Sequence, residues 1–456
     1  MSVETRAPSA TEPAVAQPDA PPAPRPRRFG FARLDLLLML VLFTMAIIPR
    51  AAWIAYNDRT PQGLNDPFFY SFFSDSIADG HGYTRLTGEK FAYYPVGYPA
   101  MLAGVKKVGD FAGWGRSVFS MKMTNGMLGA ITVVLIYLLA KRLFDRRVGF
   151  GAGALLAIFP SQVYYTGTVL SEPLFALLLV AALLVLLWDP WDREGMSWQR
   201  LFVFGLLLSA ATMTRGITLA FPILLLGFWW FYLRSKKRAV IQTLIVFAGI
   251  AVLTVPWSIR NTLAFHELTG PSTNLGDDLC IGNFKQATGK FLLTGKCFEG
   301  YDGLSAQQVE IKRNHDGVRI AVHDVTHYPL RLPKLIGNKA YWLLYKDDDG
   351  LYAAESYGND YFISHPLREI LAFSANGIYF AAGLVGMLGA VAFALSRDIR
   401  RSVLLASMLY VLAIPLVFFG DPRFHFPAIP ILVIIVAATI VGVWDRRHRA
   451  LLELRS

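Results

Sequence analysis

Asp66, Glu172, Arg215, Arg260 and Arg423 are the residues of this chain whose chemistry and placement call for a reason. Four of them stand at the ends of apolar runs, in Leu170-Ser171-Glu172-Pro173, Thr214-Arg215-Gly216, Trp257-Ser258-Ile259-Arg260-Asn261 and Asp421-Pro422-Arg423-Phe424. Asp66 opens the aromatic stretch Asp66-Pro67-Phe68-Phe69-Tyr70 that follows the first such run. A carboxylate at membrane depth is costly unless paired or hydrated, so such residues are functional candidates. One arginine at that depth is ordinary snorkelling. Three arginines with two carboxylates describe a site for an anionic ligand, and the planar guanidinium fork suits the paired oxygens of a phosphodiester.

Each signal also has a plain structural reading. Asp followed by Pro is a helix N-cap and first-turn pair, which would account for Asp66 without catalysis. Phe68, Phe69, Phe72, Phe73 and Ile77 recur at helical spacing, as in an amphipathic helix lying on a membrane surface. Tyr93-Tyr94-Pro95-Val96-Gly97-Tyr98-Pro99 reads as an interfacial aromatic turn. The two cysteines, Cys280 and Cys297, fall in one polar segment. They are either a disulfide, which an oxidising compartment permits, or two unpaired thiols.

The elements that must position these residues are membrane spans. Of the 456 residues, 54% are hydrophobic and 17% charged, against about 25% charged in ordinary soluble proteins. Apolar runs near the length of a bilayer recur at roughly 34–54, 117–140, 148–165, 168–188, 201–214, 216–233, 239–257, 370–395, 402–419 and 427–444. The expected fold is therefore an all-α polytopic membrane protein with about ten helices. The net charge of +11 lies in short clusters between these runs, which excludes a nucleic-acid surface and instead marks cytoplasmic loops. Arg25, Arg27, Arg28 and Arg33 precede the first run; Lys141, Arg142, Arg146 and Arg147 follow the second. Arg234 to Arg238, Arg397 to Arg401 and Arg446 to Arg449 continue the pattern, and ten spans with both termini inside put every cluster on one side. Residues 1–33, with seven prolines before residue 29, read as a disordered cytoplasmic tail. Residues 34–257 form an N-terminal membrane module whose first outside loop spans 55–116, 258–369 a second outside segment, and 370–456 the last spans with a short tail.

The ordered set of motifs resembles the membrane glycosyltransferases of the GT-C superfold. The set comprises an acid in the first outside loop, Pro95-x-Gly97-Tyr98-Pro99, Ser171-Glu172, Thr214-Arg215, Pro256-Trp257-x-x-Arg260-Asn261, and Asp421-Pro422-Arg423 with Pro427. Its nearest likeness is the bacterial branch related to protein O-mannosyltransferases and aminoarabinose transferases of lipid A. Ser272 to Leu279, Gly282-Asn283 and Ala287-Thr288-Gly289 add to that resemblance, which covers roughly 66–430. It implies a polyprenyl-phosphate sugar donor and inverting transfer to a lipid, glycan or protein acceptor on the extracytoplasmic face of a bacterial cytoplasmic membrane. It makes Asp66 the general base, with Asp75, Asp79 and Glu89 as competitors. Glu172, Tyr70 and Tyr98 become supporting or acceptor-site residues, and Arg215, Arg260 and Arg423 become donor-phosphate ligands. The eight scattered histidines have no metal-ligand spacing, so no metal is obligatory, though loop carboxylates could hold a divalent ion. His425 belongs to the last motif without an assigned role. The competing readings are a transporter or flippase of a lipid-linked sugar, and an inactive scaffold of an envelope-assembly complex.

Overall fold

The computed structural model describes residues 33–63, 65–357 and 361–453, with side chains as far as residue 445. The proline-rich tail, all but Arg33, and the arginines of the last basic cluster lie outside the described side chains. Among the described residues the chain is all helical, with two isolated bridges, Thr84 to Lys90 and Lys290 to Gly420.

The bundle opens with α1 (Arg33–Tyr56), followed by two helices of the 55–116 loop, α2 (Asp66–Ala78) and α3 (Gly97–Ala112). Next come α4 (Val118–Leu143), α5 (Arg146–Ile158), α6 (Pro160–Tyr164), α7 (Glu172–Leu187), α8 (Trp198–Thr214), α9 (Phe221–Tyr232) and α10 (Lys236–Phe265). The 258–369 segment folds as α11 (Leu275–Asn283), α12 (Gly295–Phe298), α13 (Ala306–His327), α14 (Leu332–Leu344) and α15 (Asp349–Ser356). Three long helices close the chain, α16 (His365–Ala394), α17 (Ile399–Val417) and α18 (Ile429–Glu453).

A helix occupies each of the ten apolar runs, but they are not ten equal crossings. Six are long and apolar enough to span, and α5 with α6 makes a seventh if that pair, bent by 60°, is one span. The bend follows from Pro160, which lacks the N–H that would continue α5. Arg50, buried inside α1, compensates: its guanidinium donates to the Ala157 carbonyl at 2.8 Å, one of the carbonyls the break leaves open. Between α8 and α10 the backbones nearly touch. A Cβ at Gly205 would lie 2.4 Å from the Val246 carbonyl oxygen, and one at Gly249 would lie 2.6 Å from that of Phe202. Such small-residue contact lets dispersion forces hold helices together where lipid removes the hydrophobic drive.

The 258–369 segment is stitched to the 55–116 loop. Glu310, buried on α13, accepts from Arg85 (2.6 Å), from the Ala92 N–H (2.9 Å) and from the Thr273 hydroxyl (2.6 Å). Cys280 and Cys297 form a disulfide, their Cα atoms 6.0 Å apart, which pins α12 to α11 within this segment.

Candidate active site

The N-cap of α2 is Asn65, not Asp66. Its side-chain oxygen accepts the Phe68 N–H at 3.2 Å, while Asp66 and Pro67 form the first turn. This corrects the capping account of Asp66 and leaves its carboxylate free for other partners. The Tyr94 hydroxyl donates to Asp66 Oδ1 at 2.8 Å, and Arg423 donates to Oδ2 at 2.7 Å.

Arg423 also donates through Nε to Glu172 Oε1, the same oxygen that Arg215 reaches at 2.5 Å. Glu172 is wholly buried at the start of α7, and its other oxygen has no protein partner. Arg215, Glu172, Arg423, Asp66 and Tyr94 thus form one continuous charged chain. Its members come from the α8–α9 junction, the head of α7, the strap before α18, the head of α2 and the turn before α3. Local chemistry sets each one. Arg215 interrupts the helical path with extended backbone, and its guanidinium lies over the Phe424 ring, 5.3 Å from the centroid. Asp421 accepts the Arg423 N–H at 3.0 Å and shapes the turn that presents it. At Gly97 a Cβ would sit 2.6 Å from the Met213 carbonyl oxygen. Only glycine lets α3 approach the chain end that leads into Arg215.

Tyr70 and Tyr98 stand behind this chain. Tyr70 packs against Tyr94 (5.2 Å) and edge-on to Tyr98 (5.1 Å). The Asn125 amide donates to the Tyr98 hydroxyl at 2.9 Å and to the carbonyls of Thr168 and Leu170, fixing the turn that carries Glu172. Tyr94, the direct partner of Asp66, was hidden in a run that reads as an aromatic belt. Burial and the Asp66 charge hold its hydroxyl well above the usual tyrosine range, so it remains a donor.

Arg260 departs from expectation. Its guanidinium donates to the carbonyls of Phe91 (2.8 Å) and Tyr83 (2.7 Å) and to Asn261 Oδ1 (2.9 Å), and covers the Trp257 ring. It braces the 55–116 loop and takes no part in the charged chain. The competing acids are also occupied: Asp75 pairs with Lys106 (2.7 Å), Asp79 with Arg116 (2.8 Å), and Glu89 accepts from Thr87. A further acid comes from α11. Desolvation, with Asp277 and Asp66 nearby, pushes the Asp278 carboxyl up to about 7. Its neighbour Asp277 is paired with Arg313. Among the described residues no three His, Cys, Asp or Glu side chains converge as metal ligands.

Residues 95–259 match the family described as Dolichyl-phosphate-mannose-protein mannosyltransferase. No curated protein matches the sequence. Among solved structures, the oligosaccharyltransferase AglB from Archaeoglobus fulgidus, in complex with an inhibitory peptide and a dolichol-phosphate, is similar with a TM-score of 0.52 at 15% identity. The alignment covers 92% of this chain and 52% of AglB, so the chain spans about half the length of that relative. The apo form of the Archaeoglobus fulgidus enzyme gives 0.53 at 15% identity over the same shares, 92% and 52%. ArnT from Cupriavidus metallidurans bound to undecaprenyl phosphate aligns over 90% of this chain and 77% of its own, at 15% identity and a TM-score of 0.39. Its apolar helices, their order and the likeness to AglB together mean that the chain is a multi-pass membrane protein sharing the helical fold of that oligosaccharyltransferase.

Proposed function

We propose that this protein moves a sugar from a polyprenyl-phosphate donor to a hydroxyl-bearing acceptor, with inversion, at the extracytoplasmic face of a bacterial cytoplasmic membrane. The observation that carries the reading is the charged chain from Arg215 to Tyr94, in which two guanidinium groups crowd onto one oxygen of a buried carboxylate. With Asp66 as the other acceptor of Arg423, two guanidiniums balance two carboxylates, and both cations are held preorganised to exchange partners with an arriving anion. A lipid phosphate suits them, because its oxygens match the guanidinium forks and its charge grows as the sugar departs. AglB and ArnT are described with dolichol-phosphate and undecaprenyl phosphate bound, which supports that class of ligand.

In the proposed step an acceptor hydroxyl oxygen attacks the anomeric carbon. The bond from that carbon to the phosphate oxygen breaks, the electron pair leaves with the lipid phosphate, and Asp66 takes the hydroxyl proton. In the resting geometry Arg423 is bonded to Asp66 Oδ2, so that oxygen is already occupied. A donor phosphate offers Arg423 a third partner, so binding of donor frees Asp66 Oδ2 to take the proton. Glu172 keeps both arginines in place throughout. Purified protein in nanodiscs, supplied with polyprenyl-phosphate sugars and envelope acceptors, tests this. Transfer that needs Asp66 and Arg423 is expected; substrate crossing the bilayer without transfer would establish the transporter reading instead.

A further inference from the structure

His425 has no part in the charged chain, yet it is wholly enclosed two residues beyond Arg423. Its Nδ1 lies 2.7 Å from the Leu343 carbonyl oxygen and its Nε2 lies 2.7 Å from Asp347 Oδ1. The carbonyl can only accept, so Nδ1 donates to it, and Nε2 shares a proton with the carboxylate. The ring stacks on Tyr379 of α16, 4.9 Å between centroids and tilted by 17°. Asp347 is itself buried, and its N–H donates to Asn376 of α16 at 2.7 Å. Next in the strap, the Phe426 carbonyl accepts from Gln162 at 3.1 Å. Before it, Gly420 packs so tightly on α14 that a Cβ would lie 2.0 Å from the Lys339 carbonyl oxygen.

These contacts define a short irregular strap between α17 and α18, held at several points and carrying one functional side chain. Most of the holds are backbone contacts. His425 is the one that uses two directed side-chain bonds and a ring stack to fix rotation as well as position. A buried ionisable pair of this kind is a weak source of stability, because apolar groups of similar volume serve as well. Its value is in geometry. We infer that His425 is a positioning residue: with Asp347 it fixes the strap so that the Arg423 guanidinium bridges Asp66 and Glu172. This inference rests on the reading of Arg423 as a phosphate ligand, and it ties the end of α14 and the link that follows it to the charged chain.

The test uses the full chain in detergent and farnesyl monophosphate as probe. His425→Phe alone keeps the stack but strands the buried Asp347 carboxylate, so a marked drop in melting temperature is expected. Combining it with Asp347→Leu replaces the pair by an apolar contact and should restore the melting temperature. Affinity for farnesyl monophosphate should nevertheless remain about tenfold weaker in the double variant, since only the aim of Arg423 is lost. A second readout needs no ligand. The melting-temperature drop caused by Asp66→Asn should be smaller in the double variant than in the wild type, because the Asp66–Arg423 bond is no longer enforced. His425→Gln, which can serve one of the two acceptors, should fall between the wild type and His425→Phe in affinity. Wild-type affinity together with an unchanged Asp66→Asn effect, in the double variant or in His425→Gln, overturns the proposal. A wild type that ignores farnesyl monophosphate defeats the phosphate reading of the site, while the ligand-free comparison still decides whether His425 positions Arg423.

Discussion

The two polar ends of the helical bundle use arginine in opposite ways. At the end where α1 begins, cations are matched to their own acceptors. Arg146 and Lys141 hold buried Asp35, Arg147 pairs with Asp445, and Arg234 and Arg238 share Glu194. Arg200 donates to the carbonyls of Val185 and Leu186 at the end of α7, and Arg401 to that of Leu143 at the end of α4. These bonds neutralise helix termini that would otherwise leave carbonyls without donors. At the other end Arg215 and Arg423 converge on a single oxygen of Glu172. The first arrangement is complete by itself. The second puts two guanidiniums on one carboxylate oxygen and runs on through Arg423 to Asp66, so residues distant in the chain are joined in one network where the first end makes separate local pairs.

That contrast can be broken most forcefully at Asp66. Because Asn65 caps α2, Asp66→Asn leaves the helix start intact and removes the proton acceptor together with the ion pair to Arg423. Sugar transfer is expected to fall about 100- to 10,000-fold while probe binding persists; near-normal transfer would end the assignment of Asp66 as base. Arg423→Lys keeps charge but loses the fork, so donor KM should rise roughly tenfold, the scale of one or two charge-assisted hydrogen bonds. Unchanged KM would mean that Arg423 is another structural lock. Tyr94→Phe deletes one neutral donor to Asp66 and should cost only about fivefold in kcat, near 1 kcal/mol. At the opposite end, Arg401→Ala should lower the melting temperature and leave kcat per folded molecule untouched; a matching loss of turnover would erase the distinction between the two ends.

The smallest expected effect concerns Asp278. Its folded carboxyl titrates near 7, above the ordinary 3.8. The native state therefore holds a proton that the unfolded chain has already released between these values, so stability falls as pH rises through that window. The decline in melting temperature from about pH 5 to pH 8 should be shallower in Asp278→Asn than in the wild type. Equal slopes would place Asp278 in open solvent.

Much of this was legible because charge out of place is visible in a sequence. Asp66, Glu172, Arg215 and Arg423 break apolar surroundings, and the structure brings all four together. Arg260 breaks them equally well, yet its acceptors are backbone carbonyls of Tyr83 and Phe91, which no residue pattern displays. Tyr94 failed for the converse reason: an aromatic that donates to a carboxylate looks like any other aromatic in an interfacial turn. The bend at Pro160 was readable from that proline alone, but the hydrophobic run continued across it. Helix existence was thus set by composition, while helix continuity depended on a single missing N–H.

One consequence of the charged chain concerns the order in which it is made. Arg215 follows Glu172 by 43 residues, but Arg423 follows Asp66 by 357. During synthesis the first arginine can meet its acid as soon as α8 is in place. Asp66 must wait for the strap ahead of the final helix. The Asp66–Arg423 bond is therefore among the last links of the charged chain to close during biogenesis, and a chain that stops after α17 would hold the Arg215–Glu172 pair but neither bond of Arg423.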